Sequence, residues 1–211
     1  MSDLRITINV LGRVSTNCYF ISNDQTKEAI IVDPADNAPL IQEKCEEMQI
    51  SPVAILLTHG HFDHIMAALD VKKAFQIPIY AGADEKAILS DPSVNCSKMI
   101  GKGIEFTADQ WLKDGDILNL AGFSMEVIAT PGHTAGSVCY YFAQESILIS
   151  GDTLFKEGLG RTDLPTGDQS TIIKSIKRRL FSLPENTVVY PGHDSKTTIE
   201  HEKLNNIIFS L

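Results

Sequence analysis

The chain has 211 residues, a formal net charge of −9 and 21% charged residues, which suits one substantial domain of ordinary globular composition. The acidic balance argues against a general nucleic-acid binder, whose surface is basic. No apolar run approaches the ~20 residues of a membrane helix, and MSDLRITINV lacks the basic-then-apolar order of a signal peptide. The expectation is a single domain over 1–211, cytoplasmic, with neither membrane nor nucleic acid as partner.

In chain order, ITINVL, NCYFIS and EAIIVDP read as strands, rich in β-branched and aromatic residues and separated by polar turns. APLIQEKCEEMQI carries Leu40, Ile41, Cys45 and Met48 at helical spacing. VAILL is a continuous apolar run, as in a strand covered on both faces. A helix is expected over HIMAALDVKKAF, starting at His64, and then a short strand, IPIYAG. SDPSVNCSKMIGKGIEFTADQ is irregular; a lid or substrate loop and a meandering surface connection both stay open. DILNLAG, FSMEVIAT, SVCYYFA and SILISGD read as further strands. DQSTIIKSIKRRLFSL is helical, with Ile172, Ile173, Ile176, Leu180 and Phe181 along one stripe, and its KSIKRRL run reads as a solvated face. TVVYPGH is a last strand. TIEHEKLNN is a final helix, with Thr197 and Glu200 at capping-box spacing and His201 exposed. This order fits two sheets packed face to face with helices outside, more than a doubly wound parallel sheet.

Cys18, Cys45, Cys96 and Cys139 are scattered, without a CxxC pair, so a cysteine zinc cluster is not expected. They read as free thiols, with Cys18 and Cys139 as buried small apolar residues.

The polar groups fall in a pattern. Four apolar runs each end in His or Asp: VAILL in THGHFDH (58–64), FSMEVIATPG in His133, SILISG in Asp152 and TVVYPG in His193. Strands of one direction deliver their ends to one rim of a sheet, where active sites form. Five of the six histidines belong to this set. On an extended chain His59, His61 and Asp63 share one direction; a helix starting at His64 swings that side chain back. Imidazole with carboxylate is the ligand set of zinc and other borderline divalent metals. Three His make a one-ion site with an open position. Five His and two Asp are too many for that, and two ions sharing one carboxylate use them all.

With these residues in place, the sequence resembles the metallo-β-lactamase-fold superfamily. The resemblance rests on Thr58 to His64 (T-H-x-H-x-D-H), Pro131-Gly132-His133-Thr134, Gly151-Asp152-Thr153-Leu154-Phe155 and Pro191-Gly192-His193, with Asp33 at a further matching position. It runs from about Asn17 to Lys203. It implies an α+β fold, an αββα sandwich of two mixed sheets with helices on the outer faces. It also implies His59, His61 and His133 on a first ion, Asp63, His64 and His193 on a second, and Asp152 bridging. GDTLFKEGLGRTDLPTGD and PGHDSKTTIEHEK look most like short, single-domain relatives of glyoxalase II, the hydroxyacylglutathione hydrolases. Two departures stand out. The chain has no room for glyoxalase II's helical C-terminal domain. Asp163 and Ser195 stand where that enzyme has tyrosines that contact glutathione, and Arg161 replaces a lysine.

The expected function is metal-assisted hydrolysis of a thioester of the S-2-hydroxyacylglutathione type. Two divalent ions, zinc first with iron or manganese tolerated, would supply a bridging hydroxide near pH 7. Asp63 or Asp152 would orient it. The thiolate leaving group, with a free pKa near ~8.5, needs little acid help. Arg161 would bind a substrate carboxylate or pair with Asp163, and Ser195 would lie at the substrate. One rival is a persulfide dioxygenase of the same fold, with one iron on His59, His133 and Asp152. Another is a metal-bound protein without catalysis. A true β-lactamase, a nuclease and a flavodiiron protein fit less well. The acyl group, the thiol and the oligomeric state are not set by the sequence.

Overall fold

The computed structural model describes residues 3–210. The first half builds one sheet from β1 (Leu4–Leu11), β2 (Thr16–Asn23), β3 (Glu28–Val32), β4 (Ser51–Leu56), β5 (Ile79–Gly82) and β6 (Gln110–Leu112), in that spatial order. The first two pairings are antiparallel and the remaining three parallel. Helices α1 (Ala38–Met48), α2 (Phe62–Ile65), α3 (Ala68–Phe75) and α4 (Lys86–Leu89) lie in its connections. The second half supplies β7 (Ile117–Leu120), β8 (Phe123–Ala129), β9 (Val138–Phe142) and β10 (Ile147–Gly151), then the small hairpin β11 (Leu154–Phe155) and β12 (Gly158–Leu159). Helix α5 (Gln169–Ser175), strands β13 (Val188–Pro191) and β14 (Thr197–Thr198) and helix α6 (Ile199–Asn205) complete it. The second sheet runs β14-β13-β10-β9-β8-β7, with β10 and β13 parallel and every other pair antiparallel.

Alternation along the strands makes the layers. In β2, Tyr19 and Ile21 point into a core shared with Phe123, Val127, Tyr140 and Phe142 of the second sheet. Cys18 and Phe20 point the other way, onto Ile41 and Cys45 of α1 and Ala68 and Val71 of α3. In β9, Tyr140 and Phe142 face the sheet–sheet core, while Cys139 and Tyr141 meet Ile172, Ile176 and Ile199 from the helices outside. A period of two serving two hydrophobic faces requires both faces to be covered. The result is the expected αββα sandwich, and Phe20→Ala in its outer core would cost about 3–5 kcal/mol.

Local details differ from the sequence reading. The expected helix at 64–75 is two helices, α2 beginning at Phe62 with His61 as N-cap, then α3. The 169–180 helix ends in a π turn over Ile176–Leu180. The expected capping box does not form: Thr198 is the N-cap, its side chain accepting from His201 N, while the Thr197 hydroxyl donates to Glu202 Oε1. His201 is part-exposed and bonds Glu157 at 2.9 Å rather than standing free. In KSIKRRL only the charged side is solvated: Lys174, Lys177 and Arg178 are exposed and Ile176 and Leu180 buried, with Arg179 forked onto Asp114 at 2.8 and 2.9 Å. All four cysteines are free and buried.

Two consequences position the site. Strands β8, β10 and β13 run in one direction, so Ala129, Gly151 and Pro191 end at one edge of the second sheet. The first sheet meets that edge. Val138 N–H donates to Thr58 O (2.9 Å), Tyr140 Oη–H to Leu57 O (2.7 Å) and Asn17 N–H to Gly192 O (2.8 Å).

Candidate metal centre

At this shared edge the seven ligand candidates come together. His59, His61 and His133 each offer one nitrogen, and the three atoms lie within 4.8 Å of one another; the ligand atoms of Asp63, His64 and His193, and of His59, His64 and Asp152, with oxygen from each carboxylate, lie as close. The Asp152 carboxylate stands between the two outer groups. Its Oδ2 is 3.6 Å from His133 Nε2 and 3.5 Å from His193 Nε2, and its Oδ1 is 3.4 Å from His64 Nε2. Asp63 Oδ2 is 3.3 Å from His193 Nε2 and 3.4 Å from His64 Nε2.

For His59, His64 and His133 the far side of the ring fixes which atom faces the centre, whereas His61 Nε2 is buried without a partner. His133 Nδ1–H donates to Arg161 O at 2.8 Å, leaving Nε2 free as a donor to metal. His64 Nδ1–H donates to Asp33 Oδ2 at 2.9 Å. Thr58 gives its hydroxyl proton to the same Asp33 oxygen (2.6 Å) and its N–H to the other (2.8 Å), and His59 Nδ1–H reaches Thr58 Oγ1 at 3.1 Å. Asp33 therefore orients His64 directly and His59 through Thr58, the arrangement in which a carboxylate fixes tautomer and ring angle. His193 Nδ1 is 3.3 Å from Ser15 O, and Thr16 Oγ1 donates to Asp63 Oδ2 at 3.0 Å.

These residues fit metal ions on the structure's own terms. His59 Nε2 faces His133 Nε2 at 3.2 Å, and His61 Nδ1 faces the same atom at 2.9 Å. With the far nitrogens protonated, these are lone pairs turned toward one another, an arrangement a shared cation stabilises. His64 Nε2 and Asp152 Oδ1 are buried without a hydrogen-bond partner, a cost that coordination removes. Space is cleared as well: a Cβ on Gly192 would strike Asp152 Oδ1 and His64 Cε1, and one on Gly151 (φ +48°) would strike Thr58.

The two halves differ electrostatically. Burial lowers the pKa of His59 well below its ordinary value and that of His61 to about 3, with neighbouring imidazoles adding to the effect. Burial also lowers His133, against the pull of Asp152. This half presents neutral imidazoles at pH 7. On the other half burial again opposes charge, but the carboxylates outweigh it. Asp63, Asp152 and Asp33 raise His64, and the hydrogen bonds His193 donates to Asp152 and Asp63 raise it to about 10. An ion entering here competes with protons.

One residue escaped the sequence reading. Glu85, just before α4, is fully buried. Its Oε2 accepts from Gly60 N–H (2.8 Å), and its Oε1 accepts from Gly136 N–H (3.0 Å) and from the Thr134 hydroxyl. One carboxylate thus ties the loop carrying His59 and His61 to the loop carrying His133. Burial raises its carboxyl to about 7. The sequence reading assigns it no role.

A cavity of about 180 Å³ opens onto the centre, lined by His61, His133, Asp152 and His193 together with Val14, Cys96, Arg161 and Leu164. Arg161 reaches this cavity, but its Nε and Nη2 are both committed to Asp163, at 2.8 Å each. Ser195 is exposed in the β13–β14 turn, and the cavity lining does not include it. The irregular 91–109 segment is a wall of the site: Asn95 O accepts from Phe62 N–H at 2.9 Å, and Cys96 faces the cavity.

Comparison with known proteins bears on this geometry. The Metallo-beta-lactamase superfamily pattern matches residues 11–193. The probable metallo-hydrolase YqgX of Bacillus subtilis is 41% identical over 199 residues, 93% of each chain. The hydroxyacylglutathione hydrolase GloC of Haemophilus influenzae is 36% identical over 206 residues, 96% of this chain and 97% of that one. Among solved structures, the BLEG-1 B3 metallo-beta-lactamase superposes with a TM-score of 0.91 at 41% identity, covering 96% of this chain and 98% of the other. TTHA1623 in a di-iron-bound form gives 0.84 at 31%, covering 95% and 98%. ETHE1 from Myxococcus xanthus gives 0.81 at 28%, covering 96% and 83%. With its sandwich, its shared strand edge and a superfamily pattern spanning most of its length, the chain belongs to the metallo-beta-lactamase superfamily.

Proposed function

We propose that the protein is a binuclear metal-dependent hydrolase acting on a thioester of the S-2-hydroxyacylglutathione type. The observation that carries the reading is Asp152, a single carboxylate within 3.6 Å of donors from both outer groups. His59, His61 and His133 would hold one divalent ion, Asp63, His64 and His193 the other, with Asp152 between them. Zinc suits this set, and the di-iron form of TTHA1623 keeps iron as an alternative. Bound there, the ions supply water deprotonated near neutral pH and a Lewis acid for the carbonyl.

The chain's own residues do the rest. Asp63 and Asp152 are the proton-accepting oxygens at the centre and orient the attacking water. Asp63 is held for this by the Thr16 hydroxyl. The thiolate leaves with little acid help, because its free pKa near ~8.5 is close to neutral. Relatives named as metallo-hydrolases and as a hydroxyacylglutathione hydrolase support the same reading.

A second reading has an observation behind it. His133 Nε2 lies 3.2 Å from His59 Nε2 and 3.6 Å from Asp152 Oδ2. That set suits one iron in a persulfide dioxygenase. The likeness to BLEG-1 brings β-lactams into the test. Purified protein would be assayed with S-lactoylglutathione, nitrocefin and, by oxygen electrode, glutathione persulfide. Hydrolysis of the thioester, abolished in His61→Ala, is expected. Oxygen uptake with one bound iron overturns the proposal in favour of the dioxygenase, and no turnover of any substrate by metal-loaded protein overturns it in favour of a binding protein.

A further inference from the structure

A second cavity adjoins the metal centre. It measures about 150 Å³ and shares Phe62 and Asp63 with the first. Its walls are the same two segments. The β1–β2 turn gives Val14 to the metal cavity and Arg13 to this one. The 91–109 segment gives Cys96 to the first and Ile100 and Lys102 to the second. Phe62 and Met66 add apolar surface, and the neighbouring Val14 and Met99 are large apolar side chains left exposed at 48% and 76%.

Charge separates this cavity from its neighbour. The chain carries −9 overall, yet two cations, Arg13 and Lys102, line one small space beside the centre. Neither takes part in any of the ion pairs among the described residues, whereas Arg5, Lys72, Arg179 and Lys203 all do. Two carboxylates share the lining. Asp63 belongs to the candidate ligand set, and Asp36 accepts from Asn37 N–H at 2.7 Å. Arg161, the cation that sequence alone singles out for a substrate carboxylate, has its fork filled by Asp163. Of the three cations that line the two cavities, the two without an ion pair among the described residues are on the other side of Phe62.

We propose that this cavity is the subsite for an anionic arm of the substrate, an apolar stem ending in a carboxylate, with Phe62 and Met66 against the stem and Arg13 and Lys102 on the charge. The assignment rests on the thioester reading above. Phe62 and Asp63 line both cavities, so with the scissile group at the metal centre an arm of the substrate passes them to enter the second cavity. Charge-assisted contacts there select among thioesters without touching the reacting atoms.

The test compares lactoyl thioesters of 3-mercaptopropionate, which is anionic, and of N-acetylcysteamine, which is neutral. The readout is the ratio of their kcat/KM values. In Arg13→Ala and in Lys102→Ala this ratio falls about tenfold each, through KM, and Arg13→Glu inverts the preference. Arg161→Ala leaves the ratio in place. A ratio that survives both substitutions, or that collapses only in Arg161→Ala, overturns the assignment. Failure of the thioester reading shows separately, as wild-type protein that hydrolyses neither compound. In that event an NMR titration of zinc-loaded protein with the unhydrolysable 3-(methylthio)propionate still decides. Shifts of the amides at 12–15 and 100–102 that vanish in the Arg13→Ala, Lys102→Ala double variant support the subsite, and their absence in wild-type protein overturns it.

Discussion

The rim that holds the ligand candidates and the walls that surround it are built to different standards. On the rim, His59, His61, His64 and His133 are buried, and each of His59, His64 and His133 is tied by its far nitrogen to a fixed acceptor. On the walls, Arg13, Val14, Lys102 and Arg161 are exposed and sit on turns and irregular segments. The rim spends burial and hydrogen bonds on geometry, as a metal site requires. On the walls Arg13, Val14 and Lys102 have no ion pair among the described residues and are free to meet whatever is bound, while Arg161 is held by Asp163. The contrast teaches that chemistry and substrate are decided by separate parts of this chain.

The sharpest way to break the contrast is to remove the residue that joins the two halves of the rim. Asp152→Ala should cost on the order of a thousandfold in hydrolysis, several kcal/mol of transition-state stabilisation. It should also lower bound metal, read by elemental analysis beside activity. A variant with full metal and full activity would place the shared carboxylate elsewhere.

Next come the supports behind the rim. Asp33→Asn cannot accept from Thr58 N–H, Thr58 Oγ1 and His64 Nδ1 together, as the carboxylate does. Glu85→Ala frees the Gly60 and Gly136 amides. Each should weaken metal binding about 10–100-fold, measured by competition with a chelator, while a wall substitution such as Arg161→Ala leaves it unchanged. If Arg161→Ala weakens metal binding as much as these do, the division between rim and walls is wrong.

The smallest effect is a pH dependence. Burial raises the Glu85 carboxyl from 4.5 to about 7, so the folded protein holds this proton more tightly than the unfolded chain. The contribution to stability is fully present below about pH 4.5 and is lost as pH rises through about 7. Urea midpoints of metal-free protein at pH 5 and pH 8 check it. The difference, wild type minus Glu85→Gln, should fall between the two; a constant difference would contradict the assignment.

What the sequence revealed follows the same division. The ligand candidates were legible because each is a polar residue ending an apolar run, and parallel strand ends must gather at one edge. The layers were legible from the order of strands and helices along the chain. Glu85 was not, because its burial depends on Gly136, whose missing Cβ lets that backbone reach Glu85 N, a contact between segments 51 residues apart. The start of α2 at Phe62 and the cap at Thr198 were missed by one or two residues, where Asn95 O takes the Phe62 amide and Glu202 takes the Thr197 hydroxyl. Arg13 and Lys102 carry no motif, and only the cavity between their turns relates them.

The most direct test is a metal count on the purified protein. Two ions per chain, falling in Asp152→Ala, is the result expected from a carboxylate set between two donor groups. One ion per chain in wild-type protein, held when His193 is replaced by Ala, would contradict the binuclear centre.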